Sequence, residues 1–252
     1  MAGARRSISG DEFRSDCGLD DEELRRRRAA GAAPGRCQHG RGSLKCGGQE
    51  RPVIAIDTVW DAGRSVQTRP VLDGKESATW LDETLAGLGV DQAHLVGYSY
   101  RAWVALNQAV EAPTRVRTVT AIEPCGTITP LPVGAWIRMI GMLLGGERQH
   151  RGYLRWVRGG RLPDSTMLEL LLSARSAFRQ FGSPRPRLVS AEQWSELRMP
   201  LTVVLGGRSR LVAAAAAEEK LRREVPKAEV EVLSDASHVG PCLNPLEFRI
   251  NV

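Results

Sequence analysis

The chain has 252 residues, 42% of them hydrophobic and 25% charged, enough for one sizeable α/β domain with a buried core. Its net charge of +6 raises nucleic acid as a partner, but over the whole chain the charge is scattered and forms no stripe, so no nucleic-acid partner is expected. Five cysteines, odd in number and widely spaced with no CxxC pair, support neither a zinc site nor a disulfide framework and suit free thiols in a reducing cytoplasm.

Residues 1–52 differ in character from the rest of the chain. They hold no valine and a single isoleucine, Ile8, with a mixed-charge block that ends in four arginines, Arg25 to Arg28. Such a segment buries too little apolar area to offset its ordering entropy, and the expectation is a largely mobile, solvated tail. No apolar signal-peptide core is visible in it. The longest apolar stretch, residues 131–146, carries Arg138 and is too short to span a bilayer, so no membrane partner is expected.

From Val53 the pattern becomes regular. Residues 53–57 (V-I-A-I-D) read as a buried strand and 58–65 as a loop. Residues 75–88 read as a helix with Trp80, Leu81, Thr84, Leu85 and Leu88 on one face. A strand then enters Gly97-Tyr98-Ser99-Tyr100-Arg101, and a helix runs to Glu111. Residues 116–122 read as a third strand ending at Glu123-Pro124. Strand and helix alternating over short links point to a mostly parallel sheet with helices on both faces, and to a site at the carboxyl ends of its strands.

Residues 127–198 interrupt this rhythm with an inserted helical block: helices at 133–144, 164–181 and 191–197, and a looser segment around 153–157. Met139, Met142, Leu143, Met167, Leu170 and Leu171 either line an apolar pocket there or simply pack helices together. The sheet resumes at 201–205, a helix occupies 213–224, and a last strand at 228–233 leads to His238. The core is therefore expected at 53–126 and 199–252.

Ser99 sits on the turn between a strand and a helix. That setting either strains the backbone and lifts a nucleophilic hydroxyl clear of the sheet, or is an ordinary turn with a capping serine. A serine nucleophile needs a base. Of the four histidines, His238 comes after the last strand at the same sheet edge. His94 lies within a strand, His150 lies among polar residues of the insert, and His39 lies in the tail. The base in turn needs an acid. The loop 206–212 (G-G-R-S-R-L-V) has no carboxylate, which leaves Glu123, either as the acid or as a strand-end residue paired with an arginine. Asp235 is read as starting the turn before His238.

The segments 57–65 (D-T-V-W-D-A-G-R-S), 94–100 (H-L-V-G-Y-S-Y), 116–124, 200–207 and 236–240 (A-S-H-V-G), in this order and spacing, resemble the α/β-hydrolase superfamily, in particular small capped bacterial serine hydrolases. The resemblance covers Val53 to about Pro245. It implies an α/β-hydrolase-like sheet lacking its N-terminal strands, with a helical cap. It also implies Ser99 as nucleophile, His238 as base, Glu123 as acid and the N–H of Tyr100 as oxyanion donor. No metal and no cofactor are implied, and the expected partner is a small apolar ester or related carbonyl compound. The chain departs from the family pattern at three places. No strand precedes His39-Gly40, the 206–212 loop lacks its acid, and Arg101 replaces a small residue two positions after the nucleophile. Such an arginine either displaces the elbow helix or turns its stem out to water. With these departures the alternative is a catalytically impaired hydrolase-like protein with a binding role.

Overall fold

The structure is a computed structural model that describes residues 53–62, 65, 67–177 and 182–239. The tail expected at 1–52 and His39 lie outside the described residues, as does the chain beyond Val239.

Among the described residues four parallel strands form one sheet in sequential order: β1 (Ala93–Tyr98), β2 (Val116–Ile122), β3 (Leu201–Gly206) and β4 (Glu229–Leu233). Because every strand points the same way, all carboxyl ends share one edge. β2 and β3 are central and mostly apolar on both faces, whereas β4 alternates exposed with half-buried residues, as expected of edge and interior positions.

α1 (Gly74–Gly87) starts where the Asp73 side chain accepts from Glu76 N–H and buries Trp80, Leu81 and Leu85. It packs on α2 (Tyr100–Glu111), the helix that leaves β1. α2 is enclosed on several sides. Trp103 and Val104 join Trp60, Trp80 and Leu85 in one apolar cluster, while Ala102, Leu106 and Ala109 join Val119, Ala121, Val203 and Leu205 of the sheet in another. Trp60 meets Trp80 edge to face at 5.0 Å between ring centroids.

Between β2 and β3 come α3 (Val133–Leu144), α4 (Glu147–Val157), α5 (Ser165–Ala177) and α6 (Ala191–Glu196); α7 (Ala214–Glu224) joins β3 to β4. Trp194 of α6 is fully buried in the cluster over the sheet, and α6 touches both α2 and α7.

Two expectations are corrected. Residues 53–57 are not a strand: no neighbouring strand among the described residues offers them a hydrogen-bond ladder, and an apolar run without one does not become β-structure. Ile56 still packs against the Trp60 cluster. Residues 153–157 are not loose but close α4. That helix is built on polar residues its composition hides: Gln149 accepts the Gly146 N–H at 3.1 Å, and Glu147 pairs with Arg151 at 2.6 Å one turn on. Tyr153, Trp156 and the buried Val157 form its inner face.

Candidate active site

The register of β1 against β2 sets the site. Tyr98 is the partner of Ile122, so the next residues, Ser99 and Glu123, emerge level at the same edge. Ser99 has φ 55° and ψ −118°, the strained turn from which α2 departs. Its N–H still donates to Ile122 O at 2.8 Å, so the ladder fixes the turn. The tight approach this requires falls at Gly97, where a Cβ would lie 2.2 Å from the carbonyl oxygen of Arg101. Only glycine at 97 allows α2 to start so close to β1.

His238 is delivered by the loop after β4, which lies against the end of β3. A Cβ on Gly206 would meet Ala236 O at 2.6 Å, and Arg208 N–H donates to Ala236 O at 2.9 Å. The imidazole is buried, with Nε2 2.9 Å from Ser99 Oγ and Nδ1 2.7 Å from Glu123 Oε2. The Tyr98 ring lies 5.3 Å from it, centroid to centroid. The three side chains selected from the sequence, Ser99, His238 and Glu123, thus form one continuous line of hydrogen bonds.

Glu123 is completely inaccessible to solvent. A carboxylate there needs donors. It accepts from the Gly206 N–H, from the Ser209 hydroxyl and, with the ring proton on Nδ1, from His238. The loop without a carboxylate of its own therefore supplies two of the three donors to the acid on the neighbouring strand. Ser209 was missed in the sequence, although it is the one hydroxyl in the 206–212 loop. Its oxygen is further held by the N–H groups of Leu211 and Val212, at 3.4 and 3.2 Å.

Cys125 was also missed. Its buried sulfur lies 3.7 Å from Ser99 Oγ and 3.9 Å from His238 Nε2. Ser99 has a single hydroxyl proton, so Cys125 Sγ and His238 Nε2 are competing acceptors for it. Burial pushes the thiol up to about 12, the Ser99 hydroxyl pulling against the rise and the Glu123 charge adding to it. It stands two residues after Glu123, on the turn out of β2, and no motif of the sequence marks it.

Tyr100 opens α2 directly after Ser99, so its N–H lies ahead of the helix's own ladder. Its phenol is raised by burial and donates to Pro184 O at 2.6 Å. Arg101 turns outward: its guanidinium pairs with Asp61 of the 58–62 loop, both side chains about half exposed. The helix is not displaced.

The remaining candidates lie elsewhere. His94 Nδ1 is 2.8 Å from Thr118 Oγ1 across β1 and β2. His150 is 3.3 Å from Arg175, which also holds the carbonyls of Met142 and Gly145 at the end of α3; burial and that guanidinium lower its pKa. Asp235 pairs with Arg208 at the surface, at 2.5 Å. Leu143 and Leu170 are exposed and line no interior. Among the described residues no cluster of His, Cys, Asp and Glu has the makings of a metal site.

The same arrangement of strands and helices is found in known proteins. Naproxen esterase (carboxylesterase NP) from Bacillus subtilis superposes with a TM-score of 0.69 at 19% identity, over 77% of this chain and 70% of that one. In sequence, carboxylesterase YbfK of Bacillus subtilis (strain 168) is 20% identical over 192 residues, 73% of this chain; the chain spans 64% of that relative's length. The 2-hydroxymuconate semialdehyde hydrolase of Pseudomonas putida is 28% identical over 217 residues, 79% of this chain and 74% of that protein. The alpha/beta hydrolase family matches residues 25–249, a span that starts ahead of Val53 and takes in His39-Gly40, so the likeness is wider than the sequence motifs alone suggest. With a match of that extent to a four-stranded parallel sheet of this order, the chain belongs to the alpha/beta hydrolase family.

Proposed function

We propose that the chain is a serine hydrolase of the esterase type, acting on a small apolar ester or related carbonyl compound. The observation that carries this reading is the unbroken relay from buried Glu123 through His238 to Ser99, at 2.7 and 2.9 Å. His238 takes the Ser99 proton as Oγ attacks the carbonyl carbon. Glu123 holds the imidazole in the tautomer with Nδ1–H and stabilises the imidazolium that forms. The tetrahedral oxyanion meets the Tyr100 N–H at the start of α2. The intermediate collapses as His238 returns the proton to the leaving alcohol. Water, deprotonated by the same imidazole, then releases the acid and restores Ser99.

Residues 127–198 serve as a cap in this reading. Two bonds support that role. Tyr100 Oη donates to Pro184 O at 2.6 Å, and Val189 N–H donates to Thr127 O at 2.9 Å, so the 182–190 segment is tied to residues just after both the nucleophile and the acid.

The test is hydrolysis of a short-chain aryl ester together with labelling by a fluorophosphonate. Turnover and labelling in the wild type, both abolished in Ser99→Ala and turnover abolished in His238→Ala, are expected. Equal rates in wild type and Ser99→Ala would leave the chain a hydrolase-like binding protein.

A further inference from the structure

α3 presents a face that the other described residues leave exposed. Val133, Trp136, Ile137, Ile140, Leu143 and Leu144 are all exposed, Val133 at 75% and Leu144 at 85%. At 100° per residue these six fall within an arc of about 120° on one side of the helix. The inward side is accounted for, since Ala135 is buried and Met139 and Met142 are half-buried opposite the stripe. Single exposed leucines need no explanation, but six apolar side chains in one stripe mark a docking surface. Gly134 and Gly141, along one flank, have no other group among the described residues within 4 Å of where a Cβ would stand, so none of those residues leans over that side.

Charge identifies what the face meets. The sequence from Val133 to Arg161, which is α3, α4 and the turn after them, contains six arginines and one acid, Glu147. That is a net +5 in a chain whose total is +6, so within the scattered charge of the whole chain this stretch is locally basic. Arg148 and Arg155 are exposed on α4, the partner of α3 in the hairpin, and Arg138 stacks over Trp156 between the two helices at 4.8 Å. A second copy in a twofold pairing would set this basic patch against itself. The stripe also offers no polar side chain with which a protein partner could be specified.

We propose that the apolar face of α3 lies in the headgroup boundary of an anionic lipid surface, with the exposed Arg148 and Arg155 of α4 on the lipid phosphates. A short helix with a broad apolar face, paired in a hairpin with a basic helix, has the form of one that lies on a membrane rather than crossing it. Among the described residues no helix is long and apolar enough to cross. The expectation of no membrane partner rested on the absence of a span and does not bear on a surface-lying helix. This inference does not depend on the chemistry at Ser99.

The test is flotation of the full chain with vesicles of phosphatidylcholine alone or mixed with phosphatidylglycerol. Wild type floats with the mixed vesicles, less as salt is raised. Ile137→Glu and Leu144→Glu, both at exposed positions, lose about tenfold or more of that binding with an unchanged thermal midpoint, and Arg148→Glu/Arg155→Glu weakens it as well. Wild type that stays at the bottom with both vesicle types overturns the proposal. So does equal flotation with and without phosphatidylglycerol, or undiminished binding by both Ile137→Glu and Leu144→Glu. A dimer by light scattering that Ile137→Glu dissolves overturns it in favour of a second copy.

Discussion

Ser99 and Glu123 leave adjacent strands side by side, each one residue past the paired strand ends Tyr98 and Ile122, and each with a positive φ, 55° and 52°. They are the non-glycine residues with positive φ among the described residues. A backbone held in that region costs about 1–3 kcal/mol per residue and persists only where the surroundings over-determine it. Here the sheet supplies the restraint, because Ser99 N–H donates to Ile122 O and Glu123 N–H to Val204 O, both at 2.8 Å. The strain turns both side chains off the strand direction and toward the one imidazole that comes after β4. Two sharp turns in register are thus what bring the Ser99 hydroxyl and the Glu123 carboxylate within reach of a single imidazole.

Glu123→Gln is expected to lower kcat by about 10⁴, the loss typical when the group that fixes the histidine tautomer becomes an amide. The amide nitrogen must face either the Gly206 N–H or the Ser209 hydroxyl together with His238 Nδ1–H, and one set goes unmet. A stability loss of about 1–3 kcal/mol is expected from the unmet donors. Steady-state kinetics with an aryl ester and thermal unfolding of the same sample measure both. A kcat within about twofold of wild type, less than ~0.5 kcal/mol in the barrier, removes Glu123 from the mechanism.

Ser209→Ala removes a donor to Glu123 without touching the Glu123–His238 bond. Expected are a stability loss of about 1 kcal/mol and a fall in kcat of about tenfold or less, with KM little changed. Ser209→Thr keeps the hydroxyl and restores kcat. If Thr is as impaired as Ala, the role of Ser209 is packing in the 206–212 loop and not support of the acid.

Alkaline pH reports on Cys125. The folded thiol is raised to about 12 from an ordinary 9.0, so the unfolded chain gives up this proton first. Above pH 9 the unfolded state binds fewer protons than the folded one, and stability falls until about pH 12. Tyr153, raised to about 12 by burial, and Tyr100, raised further, act in the same direction from pH 10 upward. The thermal midpoint is expected to drop steeply above pH 9, and less steeply in Cys125→Ala between 9 and 10. Identical slopes for the two proteins in that interval would show that the thiol titrates normally. The same burial predicts that iodoacetamide leaves Cys125 of the folded chain unmodified at neutral pH, since the thiolate is the reactive form.

What was legible in the sequence was set by chain position along a parallel sheet. Ser99, Glu123 and His238 each come soon after a strand, and a parallel sheet sends all such residues to one edge, so strand ends alone nominated them. Cys125 and Ser209 act through space on that trio, and nothing in their spacing says so. The run V-I-A-I-D at 53–57 misled because apolarity reports burial and not pairing, and a strand also needs a neighbour. α4 was missed because its support comes from polar contacts, Gln149 to Gly146 and Glu147 to Arg151, that hydrophobic periodicity does not register.

Arg101 was the feature that most threatened the site in the sequence, and the structure moves that risk to Gly97. An arginine two residues after the nucleophile would be harmful if its side chain stood between α2 and β1. It does not, because its guanidinium reaches Asp61 at the surface with about half of each side chain exposed. An ion pair so exposed contributes about 0–1 kcal/mol. Arg101→Gly is therefore expected to leave kcat for an aryl ester within about twofold and to cost about 1 kcal/mol or less through helix entropy. The group that does face the strand is the Arg101 backbone, whose carbonyl oxygen would lie 2.2 Å from a Cβ at position 97. Gly97→Ala must push the first turn of α2 away, carrying the Tyr100 N–H with it, and about 1 Å of misplacement can cost on the order of 10² in rate. The pair of variants separates the two positions: Gly97→Ala is expected to lose about 10² or more in kcat while Arg101→Gly is nearly silent. Should Arg101→Gly raise kcat by about tenfold, ~1.4 kcal/mol, the arginine holds the elbow in a poor geometry and the Arg101–Asp61 pair is what restrains it.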